Sequence, residues 1–337
     1  MSSKIFLTGG TGYIGGTVLD TLATKHPEYD ITVLLRSIPE QFHERYPKVK
    51  IIKGDYDNFE AISEAASQAN VVIHNGNSDH EGSIKALIAG LLRRPSPSFL
   101  IHLGGTGIIA DWQESTYIGK LNPKVWSDIS DIEAITSLPD NALHRNVDKI
   151  IQAAATTHGD KLKLAIICPP DIYGPGRGLG RMQSVYMPEF FQEIKKVGAP
   201  FYVGEGTNTR SWVHIEDLMT VYVKLVEAAV SGGENADWGK TGYYFASSQE
   251  ASQLDVAKAA GKILTKHGLI QQEEPKQLPI DQVDAMMESR RYPGMGRYMF
   301  AANSRSKAER AARLLGYEPK APNIWETMES DLLARNT

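Results

Sequence analysis

The chain has 337 residues, of which 42% are hydrophobic, and it carries a formal net charge of −4. This length suffices for a packed core of one or two domains, and the weak negative charge gives no general attraction to nucleic acid or anionic lipid. One cysteine, Cys168, excludes an internal disulfide framework. The first residues do not resemble a signal peptide, and no apolar run approaches the ~20 residues that span a bilayer. We therefore expect a cytoplasmic protein with a small-molecule partner and no nucleic-acid or membrane partner.

Short apolar segments alternate with amphipathic segments through the first half of the chain. The predicted strands are KIFLTG, DITVLLR, VKIIKGD, NVVIHN, SFLIHLGG and KLKLAIICPP. The segments between them have helical periodicity, and the last of these is SLPDNALHRNVDKIIQAAA at residues 137–155. Buried strands separated by helices predict an α/β fold, a Rossmann-type doubly wound parallel sheet with ligands at the carboxyl ends of its strands.

A glycine-rich turn, GGTGYIGG, follows the first predicted strand and opens the first helix. Gly9 would permit the tight turn, Gly12 a close approach of backbone to a pyrophosphate, and Gly15 close packing of helix on strand. The helix N-terminus would offer free N–H groups and a positive dipole to the phosphates. We therefore predict dinucleotide binding by Gly9, Gly12, Tyr13, Ile14 and Gly15, with a purely structural turn as the alternative.

The residue after the second predicted strand indicates which dinucleotide is bound. A carboxylate that accepts from the ribose 2′-hydroxyl is expected about 20 residues beyond the glycines, but Arg36 stands there. An arginine attracts a 2′-phosphate, so the sequence predicts NADP(H) over NAD(H), unless Arg36 is a solvated surface residue. Asp55 and Tyr56 follow the third strand and are predicted either to border the adenine ring or to form an ordinary turn.

The composition of the sequence changes after Cys168. The segment PPDIYGPGRGLG is rich in proline and glycine and therefore predicts a loop that leaves the sheet. We expect residues 1–175 to form the NADP-binding Rossmann domain, rejoined by about 206–248. Residues 176–205 and 249–337 are then a smaller, discontinuous C-terminal substrate lobe. Aromatic residues and methionines in this lobe either line an apolar substrate pocket or form the hydrophobic core of the lobe.

Five motifs together resemble the extended short-chain dehydrogenase/reductase family, also called the NAD-dependent epimerase/dehydratase family. They are TGGTGYIG at 8–15, GDYDN at 54–58, VVIHN at 71–75, PPDIYGPG at 169–176 and RSWVHIEDL at 210–218. The resemblance implies a Rossmann domain with a smaller substrate lobe, a bound nicotinamide dinucleotide and a homodimer. It also implies cofactor contacts from Asn75 and Pro170, which lie within the matching motifs.

Members of this family carry a Ser or Thr after the fifth strand and a Tyr-x-x-x-Lys pair on the next long helix. Thr106 occupies the hydroxyl position, after two glycines where serines are usual. No Tyr-x-x-x-Lys occurs on the predicted helix, and the corresponding positions hold His144 and Asp148. A register shifted by one residue gives Arg145 and Lys149, which the helical periodicity places farther toward solvent.

In the preferred register His144 is the catalytic acid/base. Asp148, one turn away, favours the charged form of the imidazole and accepts a hydrogen bond from a hydroxyl of the nicotinamide ribose. Two alternatives remain open: His144 helps to bind cofactor or substrate only, or it is a structural histidine at the edge of the helix. Tyr117, with Lys120 three residues later, and Tyr173 are further candidates for the proton donor.

Histidines and arginines elsewhere in the sequence are further candidates for the site. His74 and His102 lie within apolar strands and are predicted to be core residues, and no metal site is expected. Five arginines could face the substrate pocket: Arg177, Arg210, Arg290, Arg291 and Arg297. By resemblance to family members acting on nucleotide sugars, Arg210 could bind a diphosphate; the alternative is an ion pair with Glu216 or Asp217.

The leading functional hypothesis is an NADP(H)-dependent oxidoreductase that acts on a carbonyl or alcohol of a small organic molecule, with non-standard catalytic residues. A second hypothesis is a nucleotide-sugar epimerase or dehydratase with bound NAD. A third is a regulatory protein that senses NADP(H) without chemistry.

Overall fold

The computed structural model describes residues 3–287 and 293–334. The strands, numbered along the chain, are β1 Lys4–Thr8, β2 Asp30–Leu35, β3 Lys50–Lys53, β4 Val71–His74, β5 Ser98–Leu103, β6 Trp126–Ser127, β7 Leu162–Cys168, β8 Asp171–Tyr173, β9 Phe201–Val203, β10 Thr209–His214, β11 Tyr243–Phe245, β12 Gln249–Ser252, β13 Lys276–Leu278 and β14 Ser306–Lys307. The α-helices are α1 Tyr13–Lys25, α2 Phe42–Arg45, α3 Phe59–Gln68, α4 Glu81–Leu92, α5 Ile132–Thr136, α6 Arg145–His158, α7 Tyr186–Val197, α8 Ile215–Val230, α9 Gln253–Lys266, α10 Ile280–Asp284, α11 Met295–Phe300, α12 Glu309–Leu315 and α13 Ile324–Leu333.

The main sheet has seven parallel strands in the order β11-β7-β5-β4-β1-β2-β3. Its strands are continuous apolar runs because helices cover both faces. One core cluster joins one face of the sheet to α1 and α8, and a second joins the other face to α3, α4 and α6. The predicted doubly wound parallel sheet of Rossmann type is therefore confirmed.

A third core cluster lies outside the main sheet, where the side chains of α7, α9, α11 and α13 pack together. Its largest members include Tyr186, Phe190, Phe201 and Phe300, which meet edge to face or tilted. A three-stranded sheet in the order β12-β10-β8 lies beside this cluster. Of the segment 206–248, β11 joins the main sheet, whereas β10 belongs to this smaller sheet and α8 packs on α1.

The helix predicted over residues 137–155 begins eight residues later in the structure than the sequence pattern predicts. Helix α5 ends at Thr136, a series of turns follows, and α6 begins only at Arg145. Pro139 lies in these turns and disfavours helical geometry at the residue before it. His144 is consequently the residue that precedes the helix, and its backbone conformation is set by the turn.

The described residues contain no helix with the length and apolar character that crossing a membrane requires.

Candidate active site

The glycine-rich turn between β1 and α1 packs against the end of β4 without space for side chains. Gly9 has a φ of +78°, and a Cβ on it would lie 2.2 Å from the carbonyl oxygen of Asn75. A Cβ on Gly15 would lie 2.3 Å from the carbonyl oxygen of Gly9. Gly12 is the N-cap residue of α1 and donates its N–H to the Gly9 carbonyl. The glycines thus permit the turn and the close helix–strand packing that the motif predicts.

The N-terminus of α1 fits an anionic group. No side chain caps it and its first turn holds no Asp or Glu, so the N–H groups of Tyr13 and Ile14 face no competing carboxylate of that turn. Beside it, buried Asn75 accepts a 2.6 Å hydrogen bond from the Tyr222 hydroxyl, while its Nδ2 has no partner among the described residues. An uncapped helix N-terminus and an unpaired amide donor suit the phosphates of a dinucleotide.

The residues predicted to surround the adenosine half lie at the ends of β2 and β3. Arg36 is exposed and forms no ion pair with a described residue. Tyr56 turns inward and its ring lies over Gly76. Burial raises the pKa of the Tyr56 phenol, and the positive charge of Arg36 opposes that rise. The Asp55 carboxylate accepts the Asp57 N–H at 3.1 Å, as in an ordinary turn.

A cavity of about 360 Å³ opens at the carboxyl ends of β5 and β7. Tyr13 and Ile14 of the glycine-rich segment line it, and so do Thr106 after β5 and Pro170 after β7. The rest of the wall is mainly apolar or aromatic and includes Leu103, Leu143, Ile172, Met295, Tyr298 and Met299. No lysine or arginine of the described chain lines this cavity. Such a wall favours an uncharged substrate.

Thr106 is held in the cavity wall by a residue from the far end of the chain. Its N–H donates to the carbonyl of Pro169 at 3.0 Å. The Ser304 hydroxyl lies 2.8 Å from the Thr106 carbonyl oxygen and 3.1 Å from Thr106 Oγ1, and it can donate to either. When it donates to Oγ1, the Thr106 proton is left to bind a substrate oxygen.

His144 reaches the same cavity with one ring nitrogen and is fixed through the other. Its Nδ1 lies 2.8 Å from Asp79 Oδ1, so the Asp79 carboxylate accepts the Nδ1 proton and Nε2 faces the glycines after β5. A Cβ on Gly105 would lie 3.1 Å from Nε2, which explains why a glycine stands where the family has a larger residue. The backbone of His144 is left-handed, with φ 67° and ψ −5°, a conformation that is uncommon outside glycine but that His, like Asn and Asp, adopts more often than other residues.

Comparisons with known proteins agree with this geometry. Residues 9–101 match a family described as NAD(P)H-binding, and residues 142–238 match the NAD dependent epimerase/dehydratase family. The oxidase ucsJ of Acremonium sp is 32% identical to this chain, and the alignment covers 98% of this chain and 96% of that protein. The chain belongs to the extended short-chain dehydrogenase/reductase family. The identification made from the motifs is confirmed, and with it a nicotinamide dinucleotide as the cofactor class.

Solved structures of this family share the whole fold. The dTDP-glucose 4,6-dehydratase of Bacillus anthracis, in complex with NAD, aligns with a TM-score of 0.66 at 13% identity, covering 98% of this chain and 96% of that one. The UDP-glucose 4-epimerase of Thermotoga maritima, solved with UDP-glucose, gives 0.64 at 15% identity and covers 98% and 97%. These extended short-chain dehydrogenases/reductases are enzymes, but such distant likenesses describe the fold alone.

Asp148 is not among the residues that line the cavity, and its contact with the nicotinamide ribose stays a prediction. Its carboxyl is fully buried outside the cavity wall, where Oδ2 accepts a 2.8 Å hydrogen bond from the Tyr243 hydroxyl and Oδ1 has no partner among the described residues. Burial raises the pKa of Asp148 to about 6, and the Tyr243 hydrogen bond opposes that rise. The hydrogen-bond partners near His144 Nδ1 are Asp79 Oδ1 at 2.8 Å and Ser78 Oγ at 3.2 Å, while the electrostatic support of the imidazolium by Asp148 stays a prediction.

This burial predicts a pH-dependent stability. The pKa of Asp148 is higher folded than unfolded, so its favourable contribution is complete below about pH 4 and is lost as the pH rises through about 6. Asparagine resembles the protonated carboxyl, so Asp148→Asn should raise the unfolding free energy by on the order of 2–3 kcal/mol at pH 8 and change it little at pH 4. Urea unfolding at both pH values measures this.

Exposed Asp160, just beyond the same helix, gives the matched control, since Asp160→Asn should change stability little at either pH. NADPH affinity should be unchanged in Asp148→Asn. Weaker NADPH binding, with no gain in stability at pH 8, would instead place the carboxylate on the nicotinamide ribose.

The alternative register, which has Arg145 and Lys149 in place of His144 and Asp148, agrees with the prediction at only one of its two residues. Lys149 is exposed and forms an ion pair with Asp140, as the periodicity predicts. Arg145 was expected toward solvent but is buried, because its guanidinium donates to the carbonyls of Thr136 and Leu138 in the turns before α6. Neither residue lines the cavity.

Both alternative tyrosines lie outside the cavity lining. Tyr117 is in a short 3₁₀ turn, so its spacing to Lys120 does not place the two on one helix face. Tyr173 is buried and its hydroxyl donates to the carbonyl of Pro322. Sequence reasoning missed Tyr298, Ser304 and Asp79 as residues of the site.

The arginines expected at the pocket are occupied elsewhere. Arg210 is buried and pairs with Asp171 at 2.5 Å, not with Glu216 or Asp217. Arg177 pairs with Asp20 and Glu216 beside α1, and Arg297 pairs with Asp284. The remaining two candidates, Arg290 and Arg291, lie outside the described residues.

His74 and His102 are core residues, as predicted. Both are buried, their rings stack, and their Nδ1 atoms lie 2.9 Å apart. Burial lowers the pKa of both imidazoles, so both are neutral at physiological pH. The described residues contain no group of three or more His, Cys, Asp or Glu side chains placed to hold a metal ion.

Proposed function

We propose that the protein is an NADP(H)-dependent oxidoreductase that interconverts a carbonyl and an alcohol on a small, uncharged, largely apolar molecule. The observation that carries the proposal is the convergence of Thr106 and His144 on one apolar cavity that begins at the glycine-rich turn. Two polar groups that can hold and protonate an oxygen there are what such a reaction requires.

The bound nicotinamide would supply or accept the hydride, and the residues of this chain would handle the oxygen and its proton. Thr106 donates a hydrogen bond to the substrate oxygen, with its own acceptor lone pair held by Ser304. His144 gives its Nε2 proton to that oxygen in reduction and removes it in oxidation. The Asp79 carboxylate stabilises the imidazolium and fixes which nitrogen faces the substrate.

The same cavity argues against a nucleotide-sugar substrate. The arginine that would bind a diphosphate, Arg210, is only 3% exposed and its charge is balanced by Asp171. A diphosphate brought against an apolar wall that has no lysine or arginine among its described residues would lose its hydration without compensation from them. Methionine and tyrosine side chains suit a ketone, an aldehyde or the matching alcohol instead.

The preference for NADP(H) rests on Arg36. Replacing its guanidinium by a carboxylate removes charge-assisted hydrogen bonds to a 2′-phosphate and adds repulsion. Arg36→Asp should weaken NADPH binding by about 10- to 100-fold and change NADH binding by less than about threefold. Titration of each cofactor into both proteins measures this. Exposed Arg313 on α12 provides the control, since Arg313→Asp should leave both affinities unchanged; equal weakening of both cofactors by Arg36→Asp would refute the assignment.

Incubation with NADPH and a panel of aldehydes and ketones, followed by loss of NADPH absorbance, tests the reaction itself. Net oxidation of NADPH with a neutral carbonyl compound is the expected result. Tight NADPH binding without turnover of any carbonyl or alcohol would favour the sensing protein. Conversion of a nucleotide sugar without net cofactor consumption would favour the epimerase.

A further inference from the structure

Tyr298, from helix α11, lies across the cavity from His144. A Cβ on Gly107 would lie 3.0 Å from the Tyr298 hydroxyl and 3.4 Å from His144 Nε2. The two polar atoms therefore border the same point, directly beside Thr106. They come from distant parts of the chain, His144 from the turn before α6 and Tyr298 from the cluster of helices outside the main sheet.

The ring of Tyr298 is held in place from several sides. The Arg210 guanidinium lies 4.7 Å from the ring centroid, and its Nη1 donates to the Tyr298 carbonyl at 2.8 Å. Asp171 fixes that guanidinium, and the edge of Trp112 approaches the ring at 6.4 Å between centroids. A buried arginine with no role in diphosphate binding thus has a structural one, as the support of this tyrosine.

The phenol keeps its proton at neutral pH. Burial raises the pKa of Tyr298, and the positive charge of Arg210 opposes that rise without reversing it. A protonated phenol in an apolar wall is a hydrogen-bond donor aimed at the cavity, and a donor there stabilises negative charge that develops on a substrate oxygen.

We propose that Tyr298 donates a hydrogen bond to the reacting oxygen of the substrate, so that His144 and Tyr298 hold it from opposite sides. This inference rests on the proposed oxidoreductase function. In reduction, the electron pair of the C=O bond moves onto oxygen while hydride reaches the carbon. The oxygen then takes its proton from His144 Nε2, which becomes neutral, and Tyr298 keeps its own proton throughout. In oxidation the same proton returns to His144.

Tyr298→Phe tests the proposal because it removes the hydroxyl and keeps both the ring beside the Arg210 guanidinium and the hydrogen bond from Arg210 to the carbonyl of residue 298. With NADPH and 4-nitrobenzaldehyde or whichever panel carbonyl the wild type reduces fastest, kcat should fall by about 10- to 100-fold, the effect of losing one donor to a charged oxygen. NADPH affinity and the melting temperature should remain those of the wild type. Tyr202→Phe, a tyrosine on β9 outside the cavity, is the matched control and should keep full activity.

The outcomes separate this inference from the function on which it rests. Wild-type turnover with an equally active Tyr298→Phe variant would overturn the role of Tyr298 and leave the oxidoreductase assignment in place. A lower melting temperature with unchanged kcat would make Tyr298 a structural residue only. If the wild type turns over no carbonyl or alcohol of the panel, with either NADP(H) or NAD(H) as cofactor, both proposals are overturned.

Discussion

We expect His144→Asn to lower kcat for carbonyl reduction by about 10²- to 10⁴-fold, the usual contribution of a positioned acid/base. Asparagine is the informative replacement because it tolerates the left-handed backbone of residue 144, so the fold and the start of α6 should survive. The variant removes the Nε2 atom that faces Gly105 and Gly107, and nothing in the glycine-rich turn changes. Steady-state kinetics with NADPH, together with the dissociation constant of NADPH, measure the effect.

The histidine at the far end of α6 provides the control. His158 ends α6, outside the cavity lining, and His158→Asn should keep wild-type turnover. Asp79→Asn should cause a smaller loss than His144→Asn, because the neutral amide can still accept from Nδ1 but no longer stabilises the imidazolium. Turnover of His144→Asn within about twofold of the wild type, with NADPH binding intact, would remove this histidine from the chemistry.

Gly9→Ala should abolish dinucleotide binding and destabilise the fold. The new methyl group would lie 2.2 Å from the carbonyl oxygen of Asn75, at a residue with φ of +78°. Either the turn opens or β4 moves, and both displace the N-terminus of α1 and the Asn75 amide from the phosphates. We expect a loss of more than about 3 kcal/mol in unfolding free energy, beyond the ~1–2 kcal/mol cost of the left-handed conformation alone.

Gly198 is a matched control for the free-energy cost of placing alanine in a left-handed backbone conformation. Its φ is +77°, and a Cβ on it would meet no heavy atom within 4 Å. Gly198→Ala should therefore cost only about 1–2 kcal/mol and leave NADPH binding unchanged. Denaturant unfolding and NADPH titration of both variants separate conformational strain from steric overlap; equal effects of the two substitutions would contradict this account of the glycine-rich turn.

The parts of this molecule that sequence reasoning described correctly are those encoded locally. Continuous apolar strands fix the parallel sheet, and the spacing of Gly9, Gly12 and Gly15 fixes the turn, because both depend on neighbours in the chain. Thr106 falls in the cavity wall for the same reason, since it directly follows a central strand. The position of Arg36 at the end of β2 was likewise readable from the sequence, although its ligand stays a prediction.

The parts that were missed depend on contacts between distant segments. Asp79 reaches His144 across 65 positions of sequence, and Ser304 reaches Thr106 across 198. Helical periodicity placed Arg145 in solvent because it takes no account of the turns before α6, whose carbonyls satisfy the guanidinium. The same periodicity put His144 on the helix with Asp148, although His144 precedes α6 and its Nδ1 lies beside Asp79.

The left-handed backbone at His144 and the burial of Asp148 restrict which other side chains these two positions can hold. Exchanging the two residues for tyrosine and lysine would not by itself produce the family's catalytic pair. A tyrosine at φ 67° would be strained, and its ring would meet the glycine surface that fits an imidazole. A lysine at 148 would bring an ammonium into a fully buried position against the Tyr243 hydroxyl. Installing the family's pair would thus require changes in the residues around both positions as well as at the positions themselves.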